Sequence, residues 1–313
     1  MGISRNEPIP GVYSNLSELV VLQHQARGFS FLPRQPIHSL LAGRHASRLR
    51  GRGLDFEELR HYQFGDDVRL IDWKATNRTR KTQLRVFNEE RERIVLLVID
   101  QRLSMFFGSQ RCMKSVTAAE AAALAAWRVV FAKDRVGAVV FNDSTIAEIR
   151  PQRSRGTVMQ ILGAVLEQNH GLAINAGIIA NAAMLNEALR RVGRLAKHDA
   201  LVCLITDGHG TDEETERLTA RIATHNDVLA ILIYDPLEAL PNAGPVVFAE
   251  SARQLEVDTG SDRLRTAFRA SFDERVARAR SFLLRREVPL IPISTAEEVA
   301  GQLRRLLGKS APG

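Results

Sequence analysis

Residues 94–104 read IVLLVIDQRLS: an unbroken apolar run from Ile94 to Ile99, then Asp100, Gln101, Arg102, Leu103 and Ser104. A short β-branched run with no polar alternation is what a parallel-sheet strand requires when both of its faces are covered. The run stops at a carboxylate. Open α/β sheets bind ligands beyond the carboxyl ends of their strands, so Asp100 marks a candidate site.

The same signal recurs downstream. Arg135–Phe141, Leu201–Ile205, Val228–Tyr234 and Val288–Ile293 read as further buried strands. Between them, helices are predicted over Lys114–Lys133, Ser154–Gln168, Ile178–Ala196, Thr211–Thr224, Ser261–Arg286 and Thr295–Leu307. In the first, Val116, Ala119, Ala123, Trp127 and Val130 recur at spacings of three and four, which assigns Trp127 to the core. Asn142-Asp143 turns the chain into Thr145–Ile149 as a hairpin, and Val246–Ala249 with Leu255–Val257 suggests an edge hairpin. Strands alternating with helices predict an α/β fold with a doubly wound, mostly parallel sheet. Thr206-Asp207-Gly208 places a second carboxylate at the end of a strand.

Upstream the chain reads differently. From Gly51 to Trp73, apolar and aromatic residues alternate with charges of both signs, and Gly65-Asp66-Asp67 is a turn signal. A short helix, a turn and an extended arm are expected there, followed by a half-wet strand over Gln83–Glu89. Residues 1–15 read as an irregular tail, and Leu16–Gly28 as a helix capped by Ser17 or Asn15. Residues 29–50, with Pro33, Pro36 and a basic run, read as a linker. The expected organisation is an N-terminal helix and linker (1–50), a charged and aromatic arm (51–92), the α/β domain (93–309) and a tail (310–313).

Composition narrows the function classes. The chain has 313 residues, 45% of them hydrophobic, enough for a core without disulfides. Its two cysteines, Cys112 and Cys203, lack metal-ligand spacing, and a reducing cytoplasm is expected. No apolar run approaches a membrane span and the first residues lack a signal-peptide core, so a soluble form is expected. The net charge is +7, and residues 27–93 hold 15 Lys/Arg against 9 Asp/Glu. Such a segment is a nucleic-acid surface or, more commonly, an ion-paired solvated face. No Walker A, G-x-S-x-G or HExxH motif is present, and the histidines do not cluster with cysteines or carboxylates. The terminal Gly-Lys-Ser lacks the context of a phosphate loop.

The block from Gly51 to Trp73 nevertheless resembles a known family. Gly51, Gly53, Phe56, Leu59, Arg60, Tyr62, Gly65, Asp66, Asp67, Arg69, Ile71, Asp72 and Trp73, continued by Arg78, Arg85 and Arg91, match the pattern of domain of unknown function 58. That family is von Willebrand factor A-like and often encoded beside MoxR-type AAA+ ATPases. The resemblance implies a metal-ion-dependent adhesion site, in which a D-x-S-x-S loop, a threonine and a further aspartate hold Mg²⁺ through hard oxygen ligands. Asp100, Ser104 and Asp207 match it. Arg102 stands where the first serine belongs, and the loop around Gly171 to Ala182 offers no threonine, Asn181 being its nearest oxygen donor. The site is therefore expected to be degenerate, binding Mg²⁺ weakly or using Arg102 as its cation. The plain alternatives are a salt bridge between Asp100 and Arg102 and a capped turn at Asp207. Arg60, Asp66, Asp67, Arg69, Asp72 and Arg78 either contact an ATPase or pin the arm through ion pairs, with pinning preferred and Tyr62 and Trp73 as anchors beneath the arm. The expected function is a non-enzymatic adaptor or co-chaperone of a MoxR-type AAA+ ATPase. The alternatives are a basic nucleic-acid-associated protein and, third, a metal-dependent hydrolase.

Overall fold

The computed structural model describes residues 9–27, 29, 54–63, 66–89, 92–173, 177–239, 245–250, 253–258, 266, 270 and 288–307. The chain forms two compact units, one from Met1–Pro36 with Arg93–Gly313 and the other from Ile37–Glu92.

The larger unit is a mixed α/β structure built on a six-stranded sheet. Its strands are β3 (Ile94–Asp100), β4 (Arg135–Phe141), β5 (Ile146–Gln152), β6 (Ala200–Thr206), β7 (Asp227–Tyr234) and β10 (Leu290–Ser294), in the order β10-β7-β6-β3-β4-β5. Every neighbouring pair is parallel except β4 with β5, the expected hairpin. Chain order runs outward from β3 to β4 and β5, then returns to β6 on the other side of β3. The sheet's switch point therefore lies between β3 and β6, where Ile99 pairs with Ile205.

β3 shows why its sequence has no alternation. Val95, Leu97 and Ile99 enter one core, with α3 (Lys114–Phe131), α4 (Arg155–His170) and α7 (Val299–Leu307). Leu96 and Val98 enter the other, with α5 (Ala183–Leu195) and α6 (Glu213–Ala223). Both faces of the strand are dry, so both parities must be apolar. Trp127 is fully buried, as its helical spacing predicts. The N-terminal segment is stitched to the same core. Asn15 caps α1 (Leu16–Val21), which ends in a short 3₁₀ turn at His24 instead of continuing to Gly28. Trp127 Nε1 donates to the Leu19 carbonyl at 3.3 Å, and Arg304 Nη2 to that of Gln25 at 2.9 Å.

Several expectations change. The helix expected from Ile178 starts at Ala183, because the Asn181 amide is drawn to the Asp143 carboxylate and leaves the helical path. The two apolar stretches near residue 250 do pair, as β8 (Pro245–Glu250) and β9 (Arg253–Asp258), but in a sheet of their own instead of at the edge of the main one. The helix expected over residues 261–286 lies almost wholly outside the described residues.

The smaller unit departs most from expectation. In place of a short helix, Leu54–His61 forms β1, antiparallel to β2 (Gln83–Glu89). A register shift between Phe56 and Glu58 interrupts the alternation that would have announced a strand. A 3₁₀ turn (Val68–Leu70) and α2 (Trp73–Thr79) separate the two strands. Trp73 is no anchor beneath the arm: it is 70% exposed, because α2 turns Ala75 inward instead.

Candidate functional site at the carboxyl edge of the sheet

Because β3 and β6 are in register, Asp100 and Thr206 meet at the switch point, and the Thr206 hydroxyl donates to Asp100 Oδ2 at 2.7 Å. The chain after Asp100 turns sharply, and its own carboxylate organises that turn. Asp100 Oδ1 accepts the Arg102 amide at 3.0 Å and Arg102 Nε at 3.0 Å, while Oδ2 accepts Arg102 Nη2 at 2.7 Å. Asp100 is fully buried and Arg102 is 2% exposed. The guanidinium rests 5.5 Å from the Phe141 ring centroid, and its remaining N–H groups reach two other loops. Nη2 donates to the His209 carbonyl at 3.0 Å and Nη1 to the Ala182 carbonyl at 3.4 Å.

Asp207 has a cation of its own. Lys114 Nζ donates to Asp207 Oδ2 at 2.8 Å, both side chains being buried, and Oδ1 accepts the His209 amide at 2.9 Å. Lys114 opens α3, where a positive charge opposes the helix dipole and no side chain caps the helix. The Asp207 carboxylate supplies the missing negative charge. A third carboxylate, Asp143, staples two loops: Oδ2 accepts the Leu103 amide at 2.6 Å and Oδ1 the Asn181 amide at 2.8 Å. Gly210 closes the site with φ +73°, and a Cβ there would lie 2.6 Å from that of Ala182.

The electrostatics follow from these contacts. Burial works against the Arg102 charge, but Asp100, and beyond it Asp207 and Asp143, more than offset burial and raise its pKa above the ordinary arginine value. Burial likewise works against the Asp207 charge. Lys114, the His209 amide and Arg102 prevail and hold that carboxyl well below the usual carboxylate range.

Of the residues singled out in the sequence, Asp100, Arg102 and Asp207 are brought together, with Ser104 in the same loop. Ser104 Oγ is buried and makes no hydrogen bond. The Asn181 side chain turns away and accepts the Ala183 amide at 3.2 Å. Lys114, Asp143 and Thr206 were not identified from sequence as parts of this site.

In the smaller unit Arg60 forms a two-pronged pair with Asp66, at 2.8 and 2.7 Å. Asp67 caps the 3₁₀ turn, and Asp72 caps α2. Tyr62 is half-buried, and its amide donates to the Thr82 carbonyl at 2.9 Å. Arg69 and Arg78 are exposed, while Gly65 and the side chain of Arg85 lie outside the described residues.

Comparison with known proteins places the chain. Proteins of Mycobacterium tuberculosis and Mycobacterium bovis, each described as uncharacterized, are 31% identical to it over 230 residues, covering 72% of this chain and 70% of theirs. Among solved structures, the conserved hypothetical protein BatB from Bacteroides thetaiotaomicron aligns with a TM-score of 0.40 at 11% identity, over 68% of this chain and 96% of that one. A von Willebrand factor type A protein from Catenulispora acidiphila aligns with a TM-score of 0.28 at 12% identity, over 49% of this chain and 35% of that one. The family model described as protein of unknown function DUF58 matches residues 58–278, and the chain belongs to that family.

Proposed function

We propose that this protein is a non-enzymatic interaction module, an adaptor or co-chaperone of a MoxR-type AAA+ ATPase in the cytoplasm, whose carboxyl-edge site works without a divalent cation. A von Willebrand factor A-like fold in the DUF58 family fits an interaction module. No helix among the described residues is long and apolar enough to cross a membrane.

The observation that carries the metal-free reading is the pairing of each strand-end carboxylate with its own buried cation, Asp100 with Arg102 and Asp207 with Lys114. The donor set does not fit Mg²⁺. That ion needs hard oxygens with lone pairs to give. Both oxygens of Asp100 and both of Asp207 already accept hydrogen bonds, and a guanidinium lies against Asp100. Of the three side chains that match the adhesion-site pattern, Asp100, Ser104 and Asp207, only Ser104 has an oxygen without a hydrogen bond, too little for a hard-cation site. The two side-chain charges together supply what one divalent ion would bring. Contact with a partner then runs through protein surface instead of through a metal-bridged carboxylate.

The test is capture of the purified ATPase from the same genome on the tagged full chain, with ATP, ADP or no nucleotide, beside calorimetric titration of Mg²⁺ into the chelator-treated chain alone. Capture that depends on nucleotide, with no heat of Mg²⁺ binding, is expected. Absence of capture in every nucleotide state would sink the adaptor reading. Saturable Mg²⁺ binding that Asp207→Asn removes would sink the metal-free one.

A further inference from the structure

We infer that the smaller unit carries a docking surface for an acidic partner segment bearing an apolar anchor side chain. The inference rests on the interaction-module reading and gives it a place and a chemistry. The observation is a division of labour among the charges of residues 60–81. The acids are spent locally: Asp66 takes Arg60 and the Gln63 amide at 2.7 Å, Asp67 the Arg69 amide at 2.9 Å, and Asp72 the Ala75 amide at 2.9 Å. The cations are not. Arg69, Lys74, Arg78, Arg80 and Lys81 are exposed, and among the described residues none of their side chains is ion-paired.

Their placement follows from α2. The helix turns Ala75 inward, so two outward rows remain at a spacing of four, Trp73 with Asn77 and beside them Lys74 with Arg78, and exposed Arg80 and Lys81 follow where the chain leaves the helix. The surface is held in shape. The Asp72 amide donates to the Gln83 carbonyl at 2.8 Å, and the Gln83 amide to Thr76 Oγ1 at 2.9 Å. At the head of the helix Trp73 is 70% exposed, and in the 3₁₀ turn that precedes it in the chain Val68 is 59% and Leu70 36% exposed. An indole left in water in the same short stretch as two exposed aliphatic residues is unusual for a fold, and tryptophan and arginine are both enriched at interface hot spots.

The charge selects the partner. Uncompensated cations call for carboxylates, and the tryptophan with Val68 and Leu70 calls for one apolar side chain among them. Single-stranded nucleic acid would be served by several stacking rings along a basic groove. Here one exposed ring follows two exposed aliphatic residues in the chain, which suits a polypeptide side chain better than a succession of bases.

The experiment uses the full chain and its own fluorescence. Of its two tryptophans, Trp127 is fully buried, so a spectral change on titration reports Trp73. The probes are a short capped peptide of Glu and Asp with a central Phe, the same peptide with central Ser, the Phe peptide with its acids replaced by amides, and an oligodeoxythymidine strand. The first should bind saturably and lose affinity with salt; removal of the Phe or of the acids should each weaken binding about tenfold. By anisotropy of the labelled peptide, Trp73→Ala and Lys74→Glu/Arg78→Glu should each cost a similar factor with unchanged melting. No saturable response to the Phe peptide, equal binding by the variants, or tighter binding of the oligonucleotide would overturn the inference. Peptide binding without any ATPase capture would leave this surface standing and remove the adaptor reading. ATPase capture undiminished in both variants would remove the surface and leave the adaptor.

Discussion

Replacing Arg102 by serine, alone and together with Lys114→Ala, tests the self-supplied charge of the carboxyl-edge site. Arg102→Ser deletes the fork on Asp100 and the bonds to the His209 and Ala182 carbonyls. Asp100 keeps only the amide of its own turn and the Thr206 hydroxyl, with no access to water. Removing one partner of a buried pair costs about 3–5 kcal/mol. At about 2–4 °C per kcal/mol for a unit of this size, the melting temperature should fall by roughly 6–20 °C. Mg²⁺ present at about a hundred times its Kd would return about 2.7 kcal/mol. In the single variant Lys114 still occupies Asp207, so rescue should be small. In the double variant both carboxylates, Ser104 and Thr206 are open to a hard cation, and the full rescue of roughly 5–10 °C is expected. The assay is scanning calorimetry of chelator-treated proteins at constant ionic strength, with and without Mg²⁺ or Mn²⁺, and Arg102→Lys as the variant that keeps charge but loses the fork. A wild-type melting temperature that rises with Mg²⁺ refutes the reasoning. So does a double variant that ignores both ions.

Lys114→Met should blunt the part of the acid response that Asp207 contributes. In the wild type the folded Asp207 pKa lies below its unfolded value, so its contribution is present above about pH 4 and lost as the pH falls further. Without Lys114 only the His209 amide and Arg102 oppose burial, so the folded pKa lies closer to its unfolded value and the melting temperature should fall less than the wild type's below about pH 4, readable by circular dichroism. Both cysteines should resist modification in the native state, since burial pushes the Cys203 thiol up to about 12 and raises that of Cys112. Reaction with a disulfide reagent at pH 8 should therefore track unfolding, and prompt labelling of Cys203 would contradict its burial. Gly210→Ala combines a left-handed backbone with a 2.6 Å approach to Ala182, and should lower stability by about 1–3 kcal/mol in a urea titration.

What the sequence revealed depended on whether the cause was local. The doubly buried β3 announced itself because every residue from Ile94 to Ile99 had to be apolar. Asp100 and Asp207 were legible as carboxylates where strands stop, and Arg102 stood out as a cation where an oxygen was due. Lys114 was invisible because it reads as the ordinary first residue of a helix and its partner is 93 positions away. Asp143 passed as a hairpin residue, its two loop amides lying 40 and 38 positions off. β1 was misread as a helix because the register shift after Phe56 breaks the period and its partner strand begins 22 residues downstream. Trp73 was misplaced because aromatic residues near apolar ones are ordinarily buried, and only the orientation of α2 turns this one outward.

The discontinuous make-up of the larger unit sets an order of events during synthesis. The Leu19 carbonyl bonds to Trp127, 108 positions later, and Gln25 to Arg304, 279 positions later. At about 5–20 residues per second, the first of these contacts waits roughly 5–20 s and the second roughly 15–55 s. Until α3 is made, Leu19, Ala26 and Phe29, all buried in the finished fold, lack the helix that shares their core. The N-terminal segment is thus translated first but seated in stages, and a ribosome-bound chain halted before α3 should leave it open to protease, whereas one halted before α7 lacks only the Arg304 contacts at its end.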